Sequence, residues 1–517
     1  MYFNSYLYII FFLPITIFLF HLLPKNNYKT FFIIIASYVF YGWGNIYICS
    51  LLFLSSFWDF CIGKKLNDLN KYLENSKTPN QIRIIKNKKF FFLILSVFLN
   101  IGLLVIFKYW DWLVDWAILK NSSCNFMNIS IPIARSYYPC VVNSEIIYDF
   151  GVFKHSLDLP PGISFYTFQT LSYTIDIYRN NFKPTGKFSH YLAYVAFFPQ
   201  LIAGPIERAK NLLPQIVSNK KYLSKRIIQK SFFLIFFGLF KKIVIADNLG
   251  HIVDECYENI QYSGIGFLLA FGFAFQIYCD FSAYTDIARG TGRLFGIKIR
   301  RNFLTPYFSQ NPSEFWRRWH ISLSQWIRDY VYISLGGNKK GNVRTILNLL
   351  ITMFLAGLWH GAGMFFIIWG IYHGFLLLIY KIFPIDKFFI NIFGSIFGKI
   401  YSILLMFILT LYGWVFFWSQ DSISTCLSIL KSFNELIFLL YKPDIISEKF
   451  YELLFGILVF TTPIILADYI SYKSKKEFSD IQTLLSTTTK TMLYLIMFYC
   501  ILFFGYRGSL QFIYFQF

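Results

Sequence analysis

Long apolar runs alternate with shorter polar segments along the whole chain. A helix that crosses a bilayer needs about 20 mainly apolar residues. We interpret about 12 of the runs as transmembrane or re-entrant helices, several of them short or interrupted by glycine. The predicted runs are 6–23, 31–44, 46–63, 90–107, 192–206, 227–245, 265–281, 346–361, 364–382, 400–418, 452–470 and 492–506.

Composition supports this interpretation. The 517 residues are 56% hydrophobic and 15% charged, whereas soluble domains are about 45–50% apolar and about 25% charged. A soluble core cannot bury so much apolar surface, so the composition argues against a soluble enzyme and against a disordered chain. We therefore expect an all-α polytopic membrane protein with about 11–13 transmembrane or re-entrant helices, folded as one domain over residues 1–517.

The net charge of +21 permits two interpretations, a nucleic-acid binder or a membrane protein with basic cytoplasmic loops. Three segments carry the excess: 64–89, 207–230 and 289–344, with net charges of +6, +6 and +9. We call them the first, second and third basic segments. Segment 120–160 is neutral, and segment 247–262 has four acidic residues and no lysine or arginine. Because the basic segments alternate with apolar runs, we predict that they face the cytoplasm and expect no nucleic-acid partner.

The third basic segment is rich in aromatic residues. Pro312 and Ser313 form a helix-start pattern, with Ser313 as the expected cap. Arg317 and Arg318 follow, placed to meet lipid phosphate or an anionic ligand. The residues predicted to share one helical face are Trp316, Trp319, His320, Leu323 and Ile327. A basic and aromatic amphipathic helix often lies on a membrane surface. On that interpretation, His320 is a packed, hydrogen-bonded structural residue. The alternative is that His320 belongs to a functional site.

A second candidate site lies inside the apolar run 346–361. His360 is followed by Gly361 and lies near Gly357 and Gly363. Ionisable residues within a membrane are rare and often functional, and glycine permits close approach of a backbone or a substrate. A structural histidine is the alternative. The sequence places His360 deep within the membrane.

Other polar residues lie in or near apolar runs. One interpretation is that Asp280, Ser282 and Asp286 help to orient a histidine. The other, which we favour, is that the two carboxylates pair with Arg289 or Arg293 as a structural anchor. His373 is a candidate for a hydrogen bond between helices.

The cysteines show no metal-binding pattern, and we predict no metal site. Cys124 and Cys140 share the neutral segment, where an oxidising outer face would permit a disulfide. The G-x-S-x-G, Walker A and H-E-x-x-H motifs are absent from the sequence.

Six motifs in order resemble the membrane-bound O-acyltransferase family. They are SFYTFQTLSYTIDIYR (164–179), FFPQLIAGPIER (197–208), GLFKKIVIADN (238–248), YCDFSAYTDIA (278–288), NPSEFWRRWH (311–320) and LWHGA (358–362). The resemblance covers roughly residues 30–420 and is strongest to the branch of alginate acetylases, peptidoglycan acetylases and D-alanyl transferases. Residues 421–517 are expected to add C-terminal spans, which favours the acetylase types.

The resemblance implies a catalytic His360 and a second site histidine, His320, beside a central tunnel. A buried neutral imidazole is a suitable base for removing a hydroxyl proton. Arg317 and Arg318 are then candidates for attracting the phosphates of an acyl-CoA. The other tentative substrate-binding residues are Asn311, Trp316, Trp319 and Trp359, with Asp280, Ser282, Asp286 and Gly361 in support.

The implied function is acetyl transfer from a cytoplasmic thioester, acetyl-CoA or another acyl donor, toward hydroxyls of a cell-envelope polysaccharide. The resemblance further implies a bacterial inner-membrane location, an extracytoplasmic SGNH-type transferase or esterase as partner, and no permanently bound cofactor. Two alternatives remain open: a non-catalytic transporter or channel for an acyl carrier or lipid, and a D-alanyl transferase.

Overall fold

The computed structural model describes residues 1–110, 159–218, 223–361, 363–419, 422–439, 441, 446–506, 508 and 512–513. The predicted cysteine pair, Cys124 and Cys140, lies outside the described residues. Every regular element within these ranges is a helix, so the all-α fold class is confirmed. The helices are Leu7–Leu22, Asn26–Tyr41, Tyr47–Asn75, Pro79–Tyr109, Ile163–Tyr178, Phe188–Ala196, Phe198–Leu201, Ala209–Ser218, Lys225–Phe240, Lys241–Ala246, Asp247–Glu258, Ile265–Leu294, Pro306–Phe308, Pro312–Arg318, Ile321–Ile327, Arg328–Tyr332, Gly341–His360, Met364–Ile382, Ile385–Ser419, Ile423–Leu439, Glu448–Ser474, Phe478–Gln482 and Thr487–Phe504.

Seven helices of the described chain are long and apolar enough to cross a membrane. They are Pro79–Tyr109, Ile265–Leu294, Gly341–His360, Met364–Ile382, Ile385–Ser419, Glu448–Ser474 and Thr487–Phe504. Leu7–Leu22 is apolar but shorter. The chain is therefore a multi-pass membrane protein. Helix Ile385–Ser419 is interrupted at Gly394, whose φ of 77° is a backbone conformation that glycine adopts readily.

One predicted run is not a single helix. Residues 192–201 lie in two short helices, Phe188–Ala196 and Phe198–Leu201, that meet at Phe197, and residues 202–206 follow without regular structure. Pro199 lies in the first turn of the second helix, where its missing N–H has no helical partner to lose. The hydrophobicity of the run reflects burial inside the protein, since its side chains are almost fully covered.

Helix Ile265–Leu294 is the centre of the bundle and is the most deeply buried of the seven spans. On one side it contacts an aromatic core that includes Phe3, Phe40 and Phe198. On the other side it contacts a second core that includes Trp369 and Trp414. Because the helix is covered all round, its polar side chains must find partners within the protein.

The basic segments meet on one side of the bundle. Arg208 of the second segment pairs with Asp329 of the third at 2.6 Å. The carboxylate of Glu207 accepts a hydrogen bond from the backbone nitrogen of Arg300 at 2.6 Å. The first segment reaches the same side through the bonds Asn180 Nδ2 to Glu74 Oε1 (3.4 Å) and Arg179 Nη1 to the Asp329 carbonyl oxygen (3.1 Å). We call this side the basic face.

The acidic segment 247–262 lies at the other end of the central helix. Tyr257 contacts Thr425 at 3.2 Å, and Lys449 pairs with Glu255. Asn248 donates to the carbonyl oxygen of Phe504 at 2.8 Å. A straight 30-residue helix such as Ile265–Leu294 is about 44 Å long, so the two charge classes are separated by the depth of the bundle. We call this end the acidic face.

Candidate active site

His320 lies at a break between two short helices rather than on one continuous helix. Helix Pro312–Arg318 ends before Trp319, and the next helix begins at Ile321. His320 has a φ of 39°, in the left-handed region that non-glycine residues rarely adopt. The prediction of one helical face through this segment is therefore wrong. The predicted cap is wrong as well, because Asn311 and not Ser313 accepts from the backbone nitrogen of Glu314, at 2.8 Å.

Asn302 holds the turn that contains His320. Its backbone carbonyl oxygen accepts from the Ile321 nitrogen at 2.9 Å, and its side-chain oxygen accepts from the Ser322 nitrogen at 3.2 Å. A third bond, from the Leu304 nitrogen to the Arg318 carbonyl oxygen at 3.0 Å, joins the segment that contains Asn302 to the end of helix Pro312–Arg318. These bonds carry His320 into the core, where its side chain is fully buried.

His360 is the last residue of helix Gly341–His360, and its side chain is 5% exposed. The following Gly361 has extended backbone, and a Cβ atom there would lie 2.3 Å from the ring of Phe366. A glycine is therefore required for the close approach of that ring beside His360. From Gly341 on the basic face, the helix carries His360 about 28 Å toward the acidic face.

The two histidines meet around one tryptophan. The Trp359 ring centroid is 5.9 Å from that of His320 and 4.9 Å from that of His360. Phe281 of the central helix packs edge-on against His320 at 4.7 Å. Phe417 packs against His360 at 5.2 Å. The structure thus brings together the two histidines that the sequence motifs indicate.

Two polar side chains from a distant helix contact the end of the His360 helix. Lys108 Nζ donates to the carbonyl oxygens of Trp359 at 2.6 Å and of His360 at 2.7 Å. The Tyr109 hydroxyl donates to the carbonyl oxygen of Leu358. Neither residue was a sequence candidate, because a lysine near the end of an apolar run is ordinarily interpreted as reaching toward the membrane surface.

Several predicted substrate-binding residues are engaged in structural contacts. Asn311 caps a helix and donates to Asp386 at 3.0 Å. Trp319 is buried against Trp414, with ring centroids 4.9 Å apart. Arg318 pairs with Glu314 at 2.6 Å and also donates to the Thr305 hydroxyl at 2.6 Å. Trp316 likewise packs beside Trp369 and His373. Of the remaining candidates, Trp359 contacts both site histidines and Arg317 is exposed.

Asp280, Ser282 and Asp286 form ionic and hydrogen-bonded contacts with lysines. Lys242 pairs with Asp280 at 2.6 Å. Lys241 donates to Ser282 and to Asp286, at 2.8 Å each. These contacts agree with the structural alternative for the group, although the lysine partners were not foreseen.

Arg289 extends this ionic network toward the basic face. It pairs with Asp286 at 3.1 Å, as one alternative predicted, and with Glu477 at 2.7 Å. Burial alone raises the pKa of the Glu477 carboxyl, but Arg289 and Lys230 outweigh burial and lower it to about 2. Lys241, Asp286 and Arg289 help to line a cleft beside the central helix.

His373 lies one aromatic layer beyond His360. Trp369 separates them, with ring centroids 4.9 Å from each histidine. Phe315 stacks on His373 at 5.9 Å. Within the described chain, neither ring nitrogen of His373 has a hydrogen-bond partner, so the proposed role in bonding between helices is not supported.

Fold and site together define a multi-pass membrane protein with two buried histidines in one aromatic chamber. The profile of the MBOAT, membrane-bound O-acyltransferase family, matches residues 92–413. The chain belongs to this family and is an O-acyltransferase.

Two of the similar proteins are acetyl-transferring enzymes by name. A probable alginate O-acetylase AlgI of Pseudomonas syringae is 36% identical over 427 residues, which cover 81% of this chain and 73% of that protein. A peptidoglycan O-acetyltransferase of Helicobacter pylori is 33% identical over 444 residues, or 83% of this chain and 79% of that protein. A teichoic acid D-alanyltransferase of Bacillus subtilis is 29% identical over 242 residues, or 44% of this chain and 60% of that protein.

Proposed function

We propose that this acyltransferase takes an acetyl group from a cytoplasmic thioester and passes it across the bacterial inner membrane toward hydroxyls of a cell-envelope polysaccharide. The observation that carries the proposal is the pair His320 and His360, both buried and both packed on Trp359. Two imidazoles on one aromatic partner form a water-poor chamber, and acyl transfer benefits from the exclusion of competing water.

His360 acts as the general base in this proposal. A neutral imidazole nitrogen takes the proton from the acceptor hydroxyl as its oxygen attacks the thioester carbonyl carbon. The C–O bond forms, the C–S bond breaks, and the departing thiolate receives that proton back from the His360 imidazolium. His320 donates a hydrogen bond to the carbonyl oxygen, which gains negative charge during the attack.

The donor approaches from the basic face. His320 belongs to the third basic segment, which has a net charge of +9. Arg317 is exposed there, and its Nε donates a hydrogen bond to the Ser313 carbonyl oxygen at 3.0 Å. Because Arg318 is already paired with Glu314, Arg317 is the better candidate for the phosphates of acetyl-CoA.

The acceptor approaches from the opposite side. His360 lies at the end of its helix that points away from the basic face. The proposed partner is an extracytoplasmic SGNH-type transferase that completes delivery to the glycan. The similar proteins named for alginate and peptidoglycan acetylation support a polysaccharide acceptor of one of these two kinds.

A transport protein without catalysis and a D-alanyl transferase are the competing functions. Purified protein in lipid vesicles distinguishes all three when it is supplied separately with acetyl-CoA and with a D-alanyl thioester carrier. Cleavage of acetyl-CoA in the presence of a hydroxyl acceptor supports the proposal. Turnover of the D-alanyl carrier alone supports the second alternative, and movement of an acyl carrier without thioester cleavage supports transport.

The His360→Ala variant tests the assigned base. We expect acetyl transfer to be abolished while the amount of protein in the membrane stays unchanged. His190→Ala is the matched control, because His190 is half-buried, contacts Thr185 at 3.3 Å and lies on another helix. Normal acetylation by the His360→Ala variant would contradict the assignment.

The acceptor is identified in cells. Envelope glycans from cells with the wild-type gene, without the gene, and with the His360→Ala variant are compared by mass analysis. We expect acetyl groups to be lost from one glycan class in both mutant strains. An acetylation pattern that is the same in all three strains contradicts the proposed polysaccharide acceptor.

A further inference from the structure

The helix that carries His360 ends inside the protein, and its final carbonyl groups are bound by side chains from elsewhere. Lys108 and Tyr109, which we call the carbonyl clamp, lie at the end of helix Pro79–Tyr109. The ammonium of Lys108 donates to two successive carbonyl oxygens, those of Trp359 and His360, at 2.6 and 2.7 Å. The Tyr109 hydroxyl donates to the carbonyl oxygen that precedes them.

Helix chemistry explains why these contacts matter. The last four carbonyl groups of an α-helix have no partner within the helix, and the carboxyl end carries partial negative charge that attracts a cation. Inside a membrane bundle, water is not freely available to satisfy such groups. The clamp satisfies three consecutive carbonyl groups, 358 to 360, and supplies a positive charge at the negative end.

The ammonium also meets the aromatic chamber. Lys108 Nζ lies 5.8 Å from the ring centroid of Trp359, the residue that packs on both site histidines. Among the described residues no carboxylate pairs with Lys108, so the helix end is its principal electrostatic partner there. A lysine in this position within an apolar segment is costly without a specific function.

We propose that the carbonyl clamp is a positioning device for the transfer reaction, which fixes the terminal turn of the helix and thereby the direction of the His360 imidazole toward His320. The inference rests on the proposed role of His360 as the base. Neither clamp residue touches the reacting atoms. Loss of the clamp frees the carbonyl groups of Trp359 and His360 and lets the last turn rotate, which displaces the imidazole while the donor site is left intact.

The experiment compares four variants of the full-length protein in lipid vesicles, with acetyl-CoA as donor and a soluble hydroxyl acceptor. Lys108→Met removes the charge and both hydrogen bonds, Lys108→Arg retains a cationic donor, and Tyr109→Phe removes one hydroxyl. Lys89→Met is the matched control, since Lys89 lies on the same helix and over an aromatic ring, that of Tyr178 at 5.1 Å. Turnover is normalised to folded protein.

We expect Lys108→Met to lower kcat roughly a hundredfold, the size typical of a misplaced catalytic group, with an unchanged KM for acetyl-CoA. Tyr109→Phe lowers kcat less, and Lys108→Arg restores most of the rate because the guanidinium can donate to both carbonyls. Lys89→Met retains the wild-type kcat. A purely structural lysine would instead lower the amount of folded protein without changing kcat per folded molecule.

A wild-type kcat in folded Lys108→Met protein overturns the inference. Should that variant fail to fold, Tyr109→Phe decides: a lower kcat at unchanged KM supports the clamp, and a wild-type kcat overturns it. His360→Ala is measured in the same series. If this variant is as active as wild type, the proposed function of His360 fails. If it is inactive while Lys108→Met and Tyr109→Phe are fully active, only the clamp fails.

Discussion

Replacement of Asn302 by alanine perturbs the turn that places His320 in the chamber. The side-chain oxygen of Asn302 accepts from the buried backbone nitrogen of Ser322 at 3.2 Å. The substitution removes that acceptor but leaves the backbone bond from Ile321 to the Asn302 carbonyl oxygen in place. The turn is therefore weakened without being deleted, which makes the variant a test of its geometry.

The expected loss of turnover in the Asn302→Ala variant follows from two comparable free energies. A buried N–H group left without a partner costs about 1–3 kcal/mol. The left-handed backbone of His320, with φ of 39°, costs of the order of 1–3 kcal/mol and persists only where its surroundings enforce it. Removing one restraint thus allows the turn to relax. A change of about 1–2 kcal/mol alters the populations by a factor of about 5–30, and we expect acetyl-CoA turnover to fall by that factor.

The assay is kcat for acetyl transfer together with thermal unfolding of the purified protein. Asn348→Ala is the control, because Asn348 is equally buried and its amide donates to the Gly337 carbonyl oxygen at 2.9 Å, outside the chamber. Both variants should lose stability, but only Asn302→Ala should lose kcat. Equal kcat losses in the two variants would contradict a specific role for Asn302, because general destabilisation would then account for the effect.

The remaining predictions concern one glycine and one buried carboxyl. Gly361→Ala places a Cβ atom 2.3 Å from the Phe366 ring; overpacking of this kind costs about 1–3 kcal/mol, so we expect lower thermal stability and lower kcat, and unchanged values for both would contradict the close contact. Burial raises the pKa of Glu207 to about 7, although Arg300 opposes the shift. Because the folded pKa of Glu207 lies above the unfolded value, the protonated carboxyl contributes stability at low pH that is lost as pH rises through about 7. The unfolding temperature of wild type should therefore fall more steeply with rising pH than that of Glu207→Gln. Parallel curves for the two proteins would exclude Glu207 as the cause.

Each of the seven spans in the described chain overlaps a predicted apolar run, because hydrophobic length is a local property. The run at 364–382 coincides with helix Met364–Ile382. The run at 192–206 failed because burial inside the protein produces the same composition as contact with lipid. Helix Ile163–Tyr178 lies outside the predicted runs because threonine, serine and glutamine interrupt its hydrophobicity. Two of these side chains bond to other helices: Gln169 Nε2 donates to the Tyr194 carbonyl oxygen at 2.7 Å, and Thr170 Oγ1 to Asn100 Oδ1 at 2.9 Å.

The histidine pair was predicted from family motifs and local chemistry, whereas its surroundings depend on distant contacts. Helical spacing continues without interruption through Trp316, Trp319 and His320, so no local signal marks the break. Asn302 enforces it from outside the helix. In the same way, Lys242 is adjacent to a second lysine in the sequence, and only the fold pairs it with Asp280 at 2.6 Å.

The two unusual polar residues of the apolar runs have a common physical origin. A helix that ends within a membrane bundle releases His360 from the regular helical surface, but it also exposes carbonyl groups that water does not reach. Lys108 satisfies two of those groups at 2.6 and 2.7 Å. Lys108 thus compensates for the helix end that places the His360 side chain in the aromatic chamber. A sequence pattern treats the two residues, 252 positions apart, as separate exceptions, whereas the fold brings them into direct contact.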